Sequence, residues 1–301
     1  MYRGPVKVTT DLEQYYHENK SNLTALSYRL TGSWVEAEDI VQETFLAMFE
    51  NAAGLEHIRA PGPYFRRAVV NRSLNAIQSP RLSRETYFGT WLPEPVFLQT
   101  SHAADEPILR EEQISYAFMT MLEHLSPQER AVFVLRESFG IEYDEIASIL
   151  GKNEAACRKL LSRARKKLGP VPPESPPSDQ IVPGWVSAFL KAARTGEFAP
   201  LLEMFNEDAV MWSDGGGKVR SAIHPITSRK RIIAFWAGIT KKGSMEGDLV
   251  PTLINGQEGL VLYRNGVAVK VILIEGDHTG HIVNIYLITN PDKLIHVPAK
   301  K

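Results

Sequence analysis

The sequence is poor in cysteine, in net charge and in long apolar runs. Cys157 is the only cysteine among 301 residues, which excludes an internal disulfide and fits a reducing compartment such as the cytoplasm. No apolar run is long enough to cross a bilayer, so we expect no contact with a membrane. The formal net charge of −1 excludes a uniformly basic protein. Any surface for nucleic acid must therefore be local.

One such local surface lies between residues 125 and 168. Ser126 and Glu129 form the pattern of a capping box, which predicts that a helix begins here. A second short helix would end at Gly151, and Asn153 would cap the third. The three helices together predict a helix-turn-helix.

The third of these helices has an apolar stripe and a basic outer face. Cys157 and Leu161 recur at helical spacing and predict its buried side, so Cys157 is expected to be a core residue rather than a redox switch. Basic side chains can neutralise phosphates while the first residues of the helix reach base edges. An ordinary hairpin with a solvated charged face is the alternative. The residues that we expect to contact DNA are Asn153, Glu154, Arg158, Lys159, Ser162, Arg163 and Arg165.

A helix closer to the N-terminus has an acidic side. Ser33 and Glu36 form another capping box, and the apolar residues that follow recur at helical spacing. Asp39, Gln42 and Glu43 lie on the opposite side. By spacing alone this side is either a solvated face or a contact surface.

The segment over residues 64–77 predicts a helix that combines aromatic, arginine and asparagine side chains. Arginine can contact phosphates, and aromatic or asparagine side chains can stack on or hydrogen-bond to an unpaired base. Tyr64 and Phe65 could instead be ordinary core residues, which is the commoner fate of aromatic side chains in helices. Both interpretations stay open at this point.

The C-terminal part of the chain predicts an α+β domain. A proline-rich spacer precedes it, and the Asn265-Gly266 pair predicts a hairpin within it. Helices are predicted over residues 185–194, 199–205 and 229–239, and strands over residues 209–212, 259–264, 267–274 and 281–288.

Several motifs in order resemble the extracytoplasmic-function (group IV) sigma factors. Residues 37–45, AEDIVQETF, resemble their region 2, and residues 125–130, LSPQER, through SRAR at residues 162–165 resemble their region 4. WLPEP at residues 91–95, DGGGK at residues 214–218 and NPDKL at residues 290–294 resemble the subgroup with a fused SnoaL-like domain.

This resemblance implies a multidomain fold. Two all-α helical domains, sigma region 2 and the region 4 helix-turn-helix, would precede an α+β SnoaL-like domain shaped as a cone-like barrel. We expect region 2 over residues 1–79, a linker over 80–106, region 4 over 107–169, a proline-rich spacer over 170–180 and the SnoaL-like domain over 181–301.

The resemblance also implies a promoter-specificity subunit of RNA polymerase. The clamp helices of the β′ subunit in core polymerase would contact Asp39, Gln42 and Glu43, with Phe45 as packing support. In promoter DNA, the −35 element would contact the basic helix described above. Pro80 interrupts a segment that is often a basic helix in the family. The −10 element would contact Tyr64, Arg67, Asn71, Arg72 and Asn75.

The subgroup resemblance further implies that the C-terminal domain controls the protein in cis. Contacts between this domain and the linker would hold regions 2 and 4 in a fixed geometry, and a small-molecule ligand in the cone stays open. The residues expected to make the regulatory contacts are Trp91, Pro93, Glu94, Asp214, Gly215, Gly216, Gly217, Lys218, Asn290, Pro291, Asp292 and Lys293.

Two other functions compete with a sigma factor. A one-component regulator would combine a helix-turn-helix with a ligand-sensing domain, but it has no use for the acidic side of the 34–49 helix. An enzyme of the SnoaL-like class would need an acid or base inside the cone. Its candidates have no spacing that forces proximity, so we expect no catalysis, metal or cofactor. These candidates are Asp208, Asp214, His224, His278 and His281.

Overall fold

The computed structural model describes residues 6–50, 61–79, 87–97, 114–171, 174 and 182–300, with side chains from residue 13 onward. Pro80, parts of the predicted linker and most of the predicted proline-rich spacer lie outside the described residues. The chain forms two compact units. The N-terminal unit comprises residues 1–83 and 119–172, and the C-terminal unit comprises residues 84–118 and 173–301.

The described part of the N-terminal half is helical. Its helices are α1 (Val6–Thr31), α2 (Trp34–Glu50), α3 (Pro61–Gln78), α4 (Tyr116–Leu122), α5 (Pro127–Phe133), α6 (Tyr143–Leu150) and α7 (Glu154–Leu168), and a π-helical turn at Val134–Ser138 continues α5. Aromatic rings join the first three helices, because Phe45 of α2 and Tyr15 of α1 both stack on Phe65 of α3. The predicted core alternative for Phe65 is therefore confirmed.

The predicted helix-turn-helix is confirmed. The Ser126 hydroxyl accepts from the Glu129 amide, and the Glu129 carboxylate accepts from the Ser126 amide at 3.0 Å. Gly151 ends α6 with φ +62°, in the left-handed region that favours glycine. Asn153 caps α7 by accepting from the Ala156 amide at 2.8 Å.

The C-terminal unit contains a six-stranded mixed sheet, as the predicted α+β fold requires. Its strand order is β2-β1-β6-β5-β4-β3, with β1 and β6 parallel and the other pairs antiparallel. The elements are α8 (Trp185–Thr195), a 3₁₀ helix (Ala199–Met204), β1 (Phe205–Asp214), β2 (Ile226–Thr227), α9 (Arg229–Lys241), β3 (Asp248–Ile254), β4 (Gln257–Arg264), β5 (Val267–Gly276), β6 (Ile282–Ile288) and a 3₁₀ turn (Pro291–Lys293).

Each face of this sheet has its own hydrophobic core. On one face α8 and α9 contribute Trp185 and Trp236, which pack with Ile272 of β5. On the other face Leu92 and Tyr116, from outside the C-terminal helices and strands, pack with the sheet. The segment before the C-terminal block therefore supplies part of the core of the C-terminal unit.

Two sequence predictions in this unit need correction or extension, and strands β2 and β3 were not predicted. The predicted helix over 199–205 is a 3₁₀ helix that ends at Met204, because Phe205 already pairs with Ile282 in the sheet. Strand β1 extends well beyond the predicted residues 209–212. Strand β3 was not predicted because Pro251 interrupts its pattern, and an edge strand tolerates proline.

The Asn265-Gly266 hairpin is confirmed. Both residues have positive φ, +52° and +78°, as a two-residue primed turn requires. Within the described ranges, no helix combines the length and the apolar character needed to span a membrane.

Candidate functional site

Helix α2 presents the predicted acidic side to solvent. Asp39, Gln42 and Glu43 are exposed, whereas Phe45 is buried against Phe65 at a ring distance of 4.3 Å. Leu46 is 53% exposed and follows Gln42 by four residues, so it lies on the same side. An exposed leucine within an acidic surface is suited to a protein contact. Sequence reasoning missed it because Leu46 reads as one more apolar residue of an amphipathic helix.

Helix α3 places most of the predicted −10 residues on one exposed side. Tyr64, Arg67, Asn71 and Asn75 follow one another by three or four residues, and all four are exposed. Arg72 is half-buried instead and contacts Glu43 of α2 at 3.2 Å. The structure therefore brings one predicted DNA contact together with one predicted polymerase contact.

The basic side of α7 is exposed along its length. Arg158 is held by Glu154 at 2.7 Å and lies over the Tyr143 ring at 4.7 Å. Within the described residues no ion pair engages Lys159 or Arg163, so their charges are available to a ligand. The predicted set is exposed throughout: Asn153, Glu154, Arg158, Lys159, Ser162, Arg163 and Arg165.

Polar contacts at the base of α7 hold the helix-turn-helix together. The Lys167 ammonium donates to the buried Glu129 carboxylate at 2.6 Å. Burial alone would raise the pKa of Glu129, but hydrogen bonds from Lys167 and Ser126 outweigh it and hold the pKa below its usual range. Arg165 reaches Glu137 at 2.7 Å.

One ion pair and one hydrogen bond join α1 and α3 to α5 and α6 within the N-terminal unit. Arg66 of α3 contacts Glu145 of α6 through two nitrogens, at 2.7 and 2.9 Å. The buried Arg130 of α5 donates to the Leu30 carbonyl at 2.9 Å and pairs with Glu123 at 2.8 Å. The two helical regions are thus packed directly on each other.

In the C-terminal unit, Asp214 is the centre of a buried polar network. Its side chain is 0% exposed, and its carboxylate accepts from the Tyr87 hydroxyl at 2.5 Å and from the Leu92 amide at 2.9 Å. The Lys293 ammonium contacts the same carboxylate at 2.7 Å, and the Gly216 amide donates to it at 3.0 Å. The Asp214 carboxylate thus has several hydrogen-bond donors and one ion-pair partner in a buried position.

Lys293 and Tyr87 are each held by further groups. The Lys293 ammonium lies 3.7 Å from the centre of the Trp91 ring and donates to the Leu92 carbonyl. The Asn290 side-chain amide donates to the Tyr87 hydroxyl at 2.7 Å. Burial, with the adjacent Asp214 carboxylate, raises the pKa of Tyr87 far above its usual range, so the phenol keeps the proton that it donates. We call Asp214, Lys293, Tyr87 and Asn290 the Asp214 network.

The parallel pairing of β1 and β6 explains how residues distant in sequence meet here. Asp214 pairs with Ile288 at the ends of the two strands. The backbone carbonyl of Asp214 accepts from the backbone N–H of Asn290 at 3.0 Å. Gly216 has φ +60°, and a Cβ there would lie 2.4 Å from the Asn290 side-chain nitrogen. Only glycine therefore fits at this point of the loop.

The remaining predicted regulatory residues lie around this network. Pro93 accepts from the Tyr116 hydroxyl at 2.7 Å, and Glu94 is buried. Lys218 pairs with Asp292 at 2.6 Å in an exposed position. Gly215, Gly217 and Pro291 belong to the two loops that carry these contacts.

Asn255 is a linker contact that sequence reasoning missed. Its side-chain oxygen accepts from the Val96 amide at 2.9 Å, and its side-chain nitrogen donates to the Ile114 carbonyl at 3.1 Å. Asn255 has φ +49° and precedes Gly256 in the turn between β3 and β4. The Asn255-Gly256 pair is the same hairpin signal as Asn265-Gly266 and could have revealed this turn.

The space between the helices and the sheet is small and apolar. The cavity there measures about 10 Å³ and is lined only by apolar and aromatic residues, among them Phe189, Trp236 and Ile285. Such a space holds one water molecule at most. The five candidate acid–base residues, Asp208, Asp214, His224, His278 and His281, are all absent from its lining.

Comparisons with known proteins agree along the length of the chain. The family model for sigma-70 region 2 matches residues 15–82, and the model for sigma-70 region 4 matches residues 115–168. The ECF RNA polymerase sigma factor SigJ of Mycobacterium tuberculosis is 30% identical over 299 residues, covering 94% of this chain and 93% of SigJ. SigG of the same species is 26% identical over 317 residues, covering 91% of this chain and 80% of SigG.

A solved structure matches as well. The crystal structure of SigJ aligns with a TM-score of 0.73 at 28% identity, covering 95% of this chain and 99% of the SigJ chain.

Proposed function

This chain belongs to the extracytoplasmic-function (ECF) sigma factors, which bind core RNA polymerase and direct promoter-specific initiation, and we propose that its C-terminal SnoaL-like domain controls that activity in cis. The competing one-component regulator is disfavoured because the region 2 family model matches residues 15–82. The function is transcription initiation rather than catalysis, and it would be exercised in the cytoplasm.

We propose that the N-terminal unit supplies both classes of contact. The exposed Asp39, Gln42 and Glu43 of α2, with Leu46 beside them, suit the clamp helices of the polymerase β′ subunit. Phe45 would act only through packing. On α3, the exposed Tyr64, Arg67, Asn71 and Asn75 suit the −10 element, with Arg72 at their edge.

The −35 element would lie along the exposed side of α7. Lys159 and Arg163, which have no ion-pair partner among the described residues, suit phosphates, while Arg158 is already oriented by Glu154 and Tyr143. Asn153 and Glu154 stand at the start of the helix, the end that enters the major groove in helix-turn-helix proteins.

The observation that carries the control in cis is the Asp214 network, which fastens residues 87–97 to the C-terminal domain. These residues belong to the segment that joins regions 2 and 4. When residues 87–97 are held against the C-terminal domain, fewer linker residues remain free to span the distance between regions 2 and 4. Regions 2 and 4 would each have to reach a separate promoter element, whereas Arg66 and Glu145 hold the two regions together. We propose that the fastened linker favours this packed, inactive arrangement.

Lys293→Gln tests the proposal in run-off transcription with core polymerase and a promoter library. The substitution leaves Asp214 buried without its counter-charge, which costs about 3–5 kcal/mol and loosens the linker. We expect the yield of promoter-specific transcripts to rise several-fold.

Lys300→Gln is the matched control, since it breaks an exposed lysine–carboxylate pair with Asp248 in the same tail. We expect this variant to transcribe like the parent protein. Equal transcription by all three proteins, with each folded, would contradict control through the Asp214 network while leaving the sigma factor function intact.

A further inference from the structure

The C-terminal unit has a second, larger cavity beside the Asp214 network. It measures about 450 Å³ and lies between linker residues Phe88 and Gly89 and the loop over residues 213–223. This volume falls within the range of small-molecule sites, about 300–1,000 Å³. We call it the Arg220 groove.

The walls of the Arg220 groove are apolar although they face solvent. Phe88, Val219 and Ile223 line it and are 63%, 40% and 48% exposed. Exposed apolar side chains that lie together on one surface are typical of ligand-binding grooves and interaction sites. The chemistry of these walls suits a hydrocarbon or aromatic body.

The charged groups of the groove are all positive. Lys218 and Arg220 line it, and no carboxylate does so within the described part of the chain. Asp292 already pairs with Lys218 at 2.6 Å, but Arg220 has no ion-pair or hydrogen-bond partner among the described residues. A guanidinium binds a carboxylate through two parallel hydrogen bonds. Ser213 and Ser221, hydrogen-bonded to each other, add polar atoms to the lining.

From these features we propose that the Arg220 groove binds a small amphipathic carboxylate. Its charged end would lie at Arg220, and its apolar body would lie against Phe88, Val219 and Ile223. The ligand would contact the linker and the domain loop simultaneously. Phe88 directly follows Tyr87 of the Asp214 network. Ligand binding at Phe88 would therefore strengthen the contacts that hold the linker against the domain, and the ligand would act as the regulatory signal.

The geometry around Gly217 supports this link between groove and linker. Gly217 has φ +70°, and a Cβ there would lie 3.1 Å from the Cβ of Phe88. The linker wall therefore leaves little room for a side chain at Gly217 on this side of the groove. Ligand binding between them changes the free energy of the fastened linker.

Binding is tested on the full-length protein by isothermal titration calorimetry with three probes. Decanoate, kept below its micelle concentration, carries both a carboxylate and an apolar chain, whereas decanol lacks the charge and inorganic phosphate lacks the chain. We expect saturable one-to-one binding of decanoate, and binding of the other two probes that is weaker by about tenfold or more. Equal binding of decanol or phosphate, or no binding of decanoate, overturns the proposal.

Arg220→Gln locates the site, and Arg231→Gln, an exposed arginine on α9, is the matched control. We expect the first variant to lose about tenfold in decanoate affinity and the second to bind like the parent protein. Equal affinities for both variants would place the carboxylate elsewhere and overturn the assignment.

The regulatory consequence rests on the proposed control in cis, but the binding does not. Decanoate should lower run-off transcription by the parent protein and leave Lys293→Gln unaffected. Binding at Arg220 without any change in transcription would refute the signalling role alone. If Lys293→Gln itself transcribes like the parent, the proposed control in cis fails instead.

Discussion

The outer face of α2 in the N-terminal unit and the Asp214 network in the C-terminal unit use opposite arrangements of charge. On α2 the acidic side chains are exposed, and Glu43 pairs with Arg72 of α3 at the surface, although the same unit buries the Arg130–Glu123 pair elsewhere. In the C-terminal unit Asp214 is 0% exposed and Lys293 only 11%. An exposed charge can exchange water or a weak partner for a new partner at a small cost in free energy. Breaking a buried pair costs much more free energy, so the buried residues stay in one arrangement. The exposed charges of the N-terminal unit therefore suit reversible binding of a partner, whereas the buried pair of the C-terminal unit suits a fixed contact with the linker.

The largest effect is expected when the buried charge is removed. Asp214→Asn keeps the shape of the side chain but leaves the Lys293 ammonium buried without a counter-charge. We expect the C-terminal unit to lose about 3–5 kcal/mol of unfolding free energy. Native-state hydrogen exchange of β1 and β6 measures this unit by itself.

The control for that prediction is Asp292→Asn, because Asp292 pairs with Lys218 where both side chains are more than half exposed. We expect about 0–1 kcal/mol for this change. A loss as large as that of Asp214→Asn would remove the contrast between buried and exposed pairs in this unit.

The contacts around Asp214 illustrate what the sequence could and could not predict. The motifs at residues 214–218 and 290–294 stand out, because an aspartate before three glycines demands a special loop. The partner atoms could not be predicted, because the parallel pairing of β1 and β6 brings Asp214 and Asn290 together, and Tyr87 reaches them from a linker far away in sequence. Strand β3 was missed because Pro251 reads as a breaker, and the identity of an edge strand is set by tertiary contacts.

The helical half was easier to predict from local signals. The capping box at Ser126, the turn at Gly151 and the cap at Asn153 each depend on residues within one helical turn. The direct packing of regions 2 and 4 was not predicted. It depends on Arg66 and Glu145, which are far apart in sequence and unremarkable by type.

An intermediate effect is expected for the pair that joins the two helical regions. Arg66 and Glu145 are 27% and 29% exposed, between the buried Asp214–Lys293 pair and the exposed Glu43–Arg72 pair of α2 and α3. A double-mutant cycle with Arg66→Gln and Glu145→Gln should give a coupling energy of about 1 kcal/mol. Urea denaturation of the four proteins provides the measurement. Strictly additive losses would mean that this contact contributes nothing to holding regions 2 and 4 together.

The smallest effect on stability is expected on the surface that we propose for polymerase binding. Glu43 is 67% exposed and its partner Arg72 is 40% exposed, so Glu43→Gln should change the unfolding free energy by less than about 0.5 kcal/mol. If Glu43 contacts core polymerase, the same substitution should weaken core binding by about fivefold, measured by titration of labelled core enzyme. Glu13→Gln, on the exposed side of α1, is the matched control and should leave core binding unchanged. Unchanged core binding by Glu43→Gln would remove Glu43 from the polymerase surface. A large loss of stability would instead show that the exposed charges of the N-terminal unit are structural, which would break the contrast with the Asp214 network.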